Sequence, residues 1–168
     1  MTTMNGETMY LSDALTGTFP PIEAIIPHRG TMLLIDAVTS CDDETLTARA
    51  SVRPGAWYAD EHGAMPAWIG IELMAQCIAA HISLLAMRAG EQARPGVLLG
   101  SRSYQAHVSA FARDAQLDIG VREVLRGEEG HGAYECTIGH DGERYAEAII
   151  KVYQPHDFQT FIEGSVSA

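Results

Sequence analysis

PAWIGIELMAQCIAAHISLLAM, residues 66–87, is the stretch that decides the fold. Its small and apolar residues follow a helical pattern, and Gly90 is a natural place for the helix to end. The polar residues that interrupt it are Glu72, Gln76, His81 and Ser83. Because these interruptions argue against a membrane span, the stretch predicts a buried core helix that must be covered on several sides.

A carboxylate on this helix needs an explanation. Burying an unpaired carboxylate costs several kcal/mol, so Glu72 either lies at a helix edge with access to water or has a chemical role. Gln76 follows at i+4 on the same face, where it either orients the carboxylate or makes a helix contact. His62 precedes the helix on a polar loop, as a candidate base or as an exposed loop histidine. His28, in Pro-His-Arg, is expected to hold a turn.

The segments around this helix predict an α+β protein with one antiparallel sheet. Alternation at residues 45–52 indicates a half-buried strand, and the apolar run 32–38 fits a covered one. One short helix comes before them, at residues 22–26. Strands are expected after the core helix at residues 97–108, 116–122, 134–138 and 146–152. The sheet can bury one face by wrapping around the helix.

Composition limits the function. The 168 residues suit one domain. We expect this domain at residues 19–157, between a flexible N-terminal segment, 1–18, and a C-terminal tail, 158–168. With 22 acidic and 11 basic residues, the net charge of -11 argues against nucleic acid. An anionic partner would need a local basic patch. The candidates for that patch are Arg29, Arg53, Arg88, Arg94 and Arg102.

Cysteine and histidine usage indicates a reduced protein without a metal. Cys41, Cys77 and Cys136 form no CxxC pair, which is typical of free thiols in a cytoplasmic protein. Neither HExxH nor paired His/Cys spacing occurs, so we expect no metal and no cofactor. The N-terminus shows no basic start followed by an apolar run, and we predict no secretory signal and no membrane association.

Several stretches together resemble the hot-dog-fold 3-hydroxyacyl-acyl-carrier-protein dehydratases. The matching stretches are Ile26-Pro27-His28-Arg29, Met32-Leu33-Leu34-Ile35-Asp36, Met65-Pro66 and Glu72-Leu73-Met74-Ala75-Gln76, in the family's order. Val97-Leu98-Leu99-Gly100-Ser101-Arg102, with Tyr104 and His107-Val108, is similar to the dehydratase-like branch found in aryl polyene gene clusters. The resemblance covers roughly residues 22–155.

This resemblance implies a hot-dog fold and dehydration of 3-hydroxyacyl thioesters to trans-2-enoyl thioesters. The family uses a helix carboxylate and a loop histidine from opposite subunits of a dimer, here Glu72 and His62. A backbone N–H, of Gly63 or Gly70 by hypothesis, would polarise the thioester carbonyl, and Gln76 would help to position the site. An imidazole can remove the C2 proton while a carboxylic acid protonates the departing hydroxyl.

The loop that carries His62 departs from the family pattern, since it is several residues shorter than in better-known members. The implied partners are an acyl carrier protein or CoA thioester and a second copy of the chain. Two rival functions stay open. One is a hot-dog acyl thioesterase in which Glu72 activates water. The other is a catalytically silent acyl-binding subunit, which forms a heterodimer with a related dehydratase.

Overall fold

The structure, a computed structural model, describes residues 18–166. The 1–18 segment, which the sequence predicts to be flexible, lies outside this range except for Thr18. The helices are α1 (Ile22–Ile25), α2 (Gly70–Arg88) and α3 (Phe158–Val166), with single 3-10 turns at Gly30–Met32 and Ala67–Ile69. The strands are β1 (Ala37–Cys41), β2 (Thr45–Ser51), β3 (Met65–Pro66), β4 (Val97–Ser101), β5 (Gln105–Ala106), β6 (Ala110–Phe111), β7 (Gln116–Arg126), β8 (His131–His140) and β9 (Glu143–Tyr153).

One antiparallel sheet wraps around α2 and confirms the predicted hot-dog architecture. Its strand order is β1-β2-β7-β8-β9-β4, and β5 also pairs with β9. The alternation predicted for β2 is observed, because Leu46, Ala48 and Ala50 are fully buried. Helix α2 and its preceding turn, Ala67–Arg88, are long and apolar enough to cross a membrane, yet 61% of the most apolar window is buried inside the protein. The stretch is the core helix of the fold.

The apolar run at residues 32–38 differs from its prediction as a continuous strand. Strand β1 begins only at Ala37, although Leu34 and Ile35 are buried. Their backbone N–H groups donate to Oε1 of Gln76, at 2.9 and 3.4 Å, instead of to a neighbouring strand. A side chain from the core helix therefore takes the place of a strand partner and ties this segment to α2.

One predicted strand after the core helix differs from the structure. The predicted strand at residues 97–108 is divided into β4 and β5, with an irregular register at Gly100, whose φ of 149° lies outside the usual range for other residues. Within the segment predicted as a C-terminal tail, 158–168, the described residues Phe158–Val166 form helix α3, which Asp157 caps by accepting from the N–H and hydroxyl of Thr160. The ring of Phe161 contacts Tyr153 at 5.4 Å. Aromatic packing thus orders this segment.

Candidate active site

The first turn of α2 presents Glu72 at the surface of the core, and Gln76 holds it. Nε2 of Gln76, one turn later, donates to Oε1 of Glu72 at 2.9 Å and to the carbonyl of Met32 at 2.7 Å. Gln76 is fully buried, whereas about a third of the Glu72 side chain, 35%, is exposed. One amide thus hydrogen-bonds the Glu72 carboxylate and also joins α2 to residues 32–35.

His28 is the imidazole that the structure places beside Glu72. Its Nε2 lies 3.6 Å from Oε1 of Glu72, and 29% of its side chain is exposed. Its Nδ1 is buried and, within residues 18–166, has no hydrogen-bond partner. Buried polar atoms in proteins are nearly always paired, so an unpaired ring nitrogen is unusual for a purely structural histidine. The turn that was predicted for His28 is held mainly by Arg29, whose guanidinium donates to the carbonyls of Glu23, Ile26 and His28.

A cleft of about 720 Å³ opens over this pair. Its walls are mostly apolar and come from α1, α2, the chain before β4, and β9. The apolar lining residues include Ile25, Ala75, Ile78, Ala79, Ile82 and Val97. Glu72 is the one carboxylate among the described residues that line the cleft. An apolar cleft with a few convergent polar groups is the usual form of a small-molecule site.

His62 lies on a tight loop and faces solvent. Its side chain is 81% exposed, and its Nε2 is 3.6 Å from a carboxylate oxygen of Glu61. Asp60 closes the loop, because its Oδ1 accepts from the N–H groups of His62 and Ala64, both at 2.9 Å. These bonds, that of Ala64 first, hold the pKa of Asp60 below its ordinary value. His62 and Glu72 are not brought together within one chain, so a catalytic role for His62 stays a prediction that needs a second subunit.

The two backbone amides proposed for the thioester carbonyl are both engaged within the chain. The N–H of Gly63 donates to the carbonyl of Asp60 at 2.9 Å, and that of Gly70 donates to the carbonyl of Ala67. A carbonyl of the substrate would have to displace one of these bonds. The assignment to Gly63 or Gly70 therefore remains a prediction.

Tyr104 fixes the start of the core helix. Its hydroxyl donates to the carbonyl of Ala67, and burial raises its pKa to about 12. A Cβ at Gly70 would overlap the Tyr104 hydroxyl and lie 3.0 Å from Cδ1 of Ile138. Close approach of the tyrosine, the carbonyl and the helix backbone thus requires glycine at position 70.

We expect Gly70→Ala to destabilise the protein by about 1–3 kcal/mol, the usual cost of overpacking a core. Helix propensity alone predicts the opposite sign, a gain of up to about 1 kcal/mol. The measurement is urea unfolding of the single variants and of Gly70→Ala with Tyr104→Phe. Removal of the hydroxyl should recover part of the loss in the double variant. A Gly70→Ala protein more stable than the parent would contradict the crowding.

His81 is a core histidine. It is fully buried, its Nε2 lies 3.0 Å from the carbonyl of Asp42, and its Nδ1 lies 3.3 Å from the hydroxyl of Tyr134. Burial lowers its pKa. The Tyr134 hydroxyl also contacts Glu123. The hydrogen bonds of His81 are internal, and His81 does not line the cleft that contains Glu72. No group of three His, Cys, Asp or Glu side chains suited to a metal occurs in the described range.

Fold and site together define a class. The fold, one core helix wrapped by an antiparallel sheet, is shared with hot-dog dehydratases and thioesterases. A family model, that of the ApeP-like dehydratases, matches residues 20–163, and the chain belongs to this family. No curated protein gives a significant match.

Solved structures support the same fold. The dehydratase heterocomplex ApeI:P from Xenorhabdus doucetiae aligns with 26% identity and a TM-score of 0.81, over 87% of this chain and 97% of that one. A hypothetical thioesterase with coenzyme A from Streptococcus pneumoniae is 17% identical, with a TM-score of 0.55 over 70% and 86%. A mutant thioesterase from Pseudomonas aeruginosa is 16% identical, with a TM-score of 0.55 over 79% and 89%. The two thioesterases are similar in fold only.

The sequence had one feature that pointed to His28. It is an ionisable residue directly before the apolar run 32–38, in a stretch shared with the family. The run itself gave no sign that Gln76 would bind it to α2. Once that contact exists, His28 is held close to Glu72, since only three residues lie between it and Met32.

Proposed function

We propose that this protein dehydrates 3-hydroxyacyl thioesters to trans-2-enoyl thioesters, with Glu72 and His28 as the groups that transfer protons. The observation that supports the proposal is the pair itself, Nε2 of His28 at 3.6 Å from Oε1 of Glu72, at the wall of an apolar cleft. Membership of the ApeP-like dehydratase family supports the reaction class.

The geometry suits elimination of water because the reaction removes a proton from C2 and delivers a proton to the oxygen on the neighbouring carbon, C3. His28 accepts the proton from C2, and the electron pair of that C–H bond forms the C2–C3 double bond. The C3–O bond breaks, and the Glu72 carboxyl group delivers a proton to the departing oxygen, which leaves as water. The imidazolium and the carboxylate are then neighbours, so a proton can return from His28 to Glu72 before the next cycle.

The substrate carrier in this proposal is an acyl carrier protein or CoA, and the compartment is the cytoplasm. The three cysteines are free and buried, which suits a reducing compartment. No cofactor enters the reaction, because both protons are transferred by side chains and the electron pair stays within the substrate.

A second candidate function is a subunit that supplies Glu72 to a site completed by a related partner. The exposed His62, without contact to Glu72 in its own chain, favours it. The similar structure from X. doucetiae is described as a dehydratase heterocomplex. Strand β4 lies at the sheet edge and exposes Leu98 and Leu99. A second subunit, either another copy or a related chain, would extend the sheet there.

The test is an assay of the purified full chain, alone and mixed with a related hot-dog dehydratase subunit, on a 3-hydroxyacyl thioester carried by acyl carrier protein or by CoA. We expect loss of water, measured by mass spectrometry of the acyl group, without release of free thiol. Activity only in the mixture would establish the second candidate. Thiol release in a colorimetric assay would show hydrolysis and contradict dehydration, as would an inert mixture.

A further inference from the structure

Arg94 is a second charged residue that lines the cleft with Glu72. It lines this cleft and also a second one of about 510 Å³, and both clefts include Ile82 of α2. Arg94 therefore lies beside the second half of the helix. From Glu72 to Ile82 the helix rises by about 15 Å, at 1.5 Å per residue. The cleft is thus lined by an acid and an imidazole at the first turn of α2 and by a guanidinium beside its later turns.

Arg94 forms no ion pair within 4 Å among the described residues, although Glu91, Glu123 and Glu128 line the second cleft with it. Seven other basic residues each have such a carboxylate partner: Arg49, Arg53, Arg88, Arg113, Arg122, Arg126 and Arg144. Two members of the basic set predicted from sequence, Arg53 and Arg88, are in this paired group. Arg29, also in that set, uses its donors on backbone carbonyls. Arg94 is thus the member of that set that lines the cleft and has no carboxylate partner within 4 Å among the described residues.

His156 adds a second donor beside Arg94. Nη1 of Arg94 lies 2.9 Å from Nδ1 of His156. Because a guanidinium only donates, Nδ1 accepts, and the ring proton of a neutral His156 is on Nε2. Both oxygens of the neighbouring carboxylate, Asp157, accept from Thr160 at the start of α3. Several N–H donors, four of them on Arg94, are left to bind an acceptor.

We propose that Arg94 and His156 bind the phosphate of a phosphopantetheine arm whose thioester lies at Glu72. This inference rests on the proposed function for its thioester end. A planar guanidinium forms paired hydrogen bonds to phosphate, and an extended arm can span the about 15 Å that the helix rises between Glu72 and Ile82. Phosphopantetheine is common to CoA and acyl carrier protein. The site explains how a chain with a net charge of -11 attracts an anionic substrate.

The test measures binding of two probes to the full chain by calorimetry, 4′-phosphopantetheine and pantetheine, which differ only in the phosphate. For the parent protein we expect the phosphorylated probe to bind about 10- to 100-fold more tightly, the range for hydrogen bonds between charged groups. Arg94→Gln should reduce this ratio to near one without weakening the binding of pantetheine. Arg94→Lys, which keeps the charge but loses the paired geometry, should give an intermediate ratio.

Arg122→Gln is the matched control, because it makes the same change in net charge at an exposed arginine that is paired with Glu135 on the sheet. It should leave the ratio unchanged. Equal affinity of the parent protein for both probes, or equal weakening of both by Arg94→Gln, would overturn the site. These outcomes do not depend on turnover, so they are distinct from failure to dehydrate.

The same variants also separate the two sources of the phosphate. Titration with CoA and with a holo acyl carrier protein should show the Arg94→Gln loss for at least one of them, and that one is the carrier. If Arg94→Gln weakens the binding of neither CoA nor the holo acyl carrier protein, that result contradicts the inference, even if free 4′-phosphopantetheine binds.

Discussion

Replacement of Glu72 by glutamine is expected to lower the rate of dehydration by about 10²- to 10⁴-fold, the usual contribution of a positioned acid or base. The amide oxygen of the new residue can still accept the bond from Gln76 Nε2, which is 2.9 Å long in the parent. It cannot supply an acidic proton to the leaving hydroxyl. The loss should therefore appear in kcat, measured from the initial rate of water elimination, with little change in KM.

His28→Asn is expected to produce a loss of the same order, because the two side chains handle the two protons of one elimination. When residues act as a unit, the effects of substituting them are not additive. The variant with both substitutions should therefore be no slower than the slower single variant by more than a few-fold. Independent roles would instead multiply the two losses.

Glu61→Gln is the matched control, since it changes an exposed residue of the loop, and His62→Asn tests the rival base in the same loop. Each should retain the parent rate within about twofold, because a substitution of an exposed residue outside the site disturbs little else. If His62→Asn abolishes turnover while His28→Asn does not, the base is the loop histidine of a second subunit. That result would restore the arrangement implied by the family resemblance and contradict the role of His28.

The core helix and most of the sheet could be predicted because their patterns are local. Alternation along β2 and β9 follows from one buried face of a strand, and Gly90 ends the helix region with a φ of 71°. The spacing of Glu72 and Gln76 placed both on one helix face without any knowledge of the fold. Each of these predictions depends on residues within a few positions of one another, where geometry is fixed by the backbone.

The partner of Glu72 could not be predicted in the same way. His28 and Glu72 are separated by 44 positions, and they meet only because Gln76 binds the backbone of residues 32–35. An apolar run such as 32–38 has the composition of a covered strand, whatever its N–H groups bind. The sequence therefore predicted that Glu72 and Gln76 share a helix face, where they form a hydrogen bond, and assigned the histidine to the loop that the family uses.

Gln76→Met is expected to cost about 3–5 kcal/mol of unfolding free energy. The side chains are similar in size, so little cavity arises, but the N–H groups of Leu34 and Ile35 and the carbonyl of Met32 lose a buried partner. Each unsatisfied buried group costs about 1–3 kcal/mol. The loss is a large part of the about 5–15 kcal/mol that stabilises a typical domain. Urea unfolding followed by circular dichroism measures it.

Two further variants separate this mechanism from a general loss of packing. Gln116→Met changes an exposed glutamine that bonds only Ser51, and should alter stability by less than about 0.5 kcal/mol. Gln76→Glu keeps an oxygen for Leu34 but introduces a second carboxyl group beside Glu72. Burial and like charge favour its neutral form. A folded-state pKa above the unfolded value means that the destabilisation is smallest near pH ~4 and grows as pH rises. A Gln76→Met protein as stable as the Gln116→Met control would show that the contact with residues 32–35 does not hold α2.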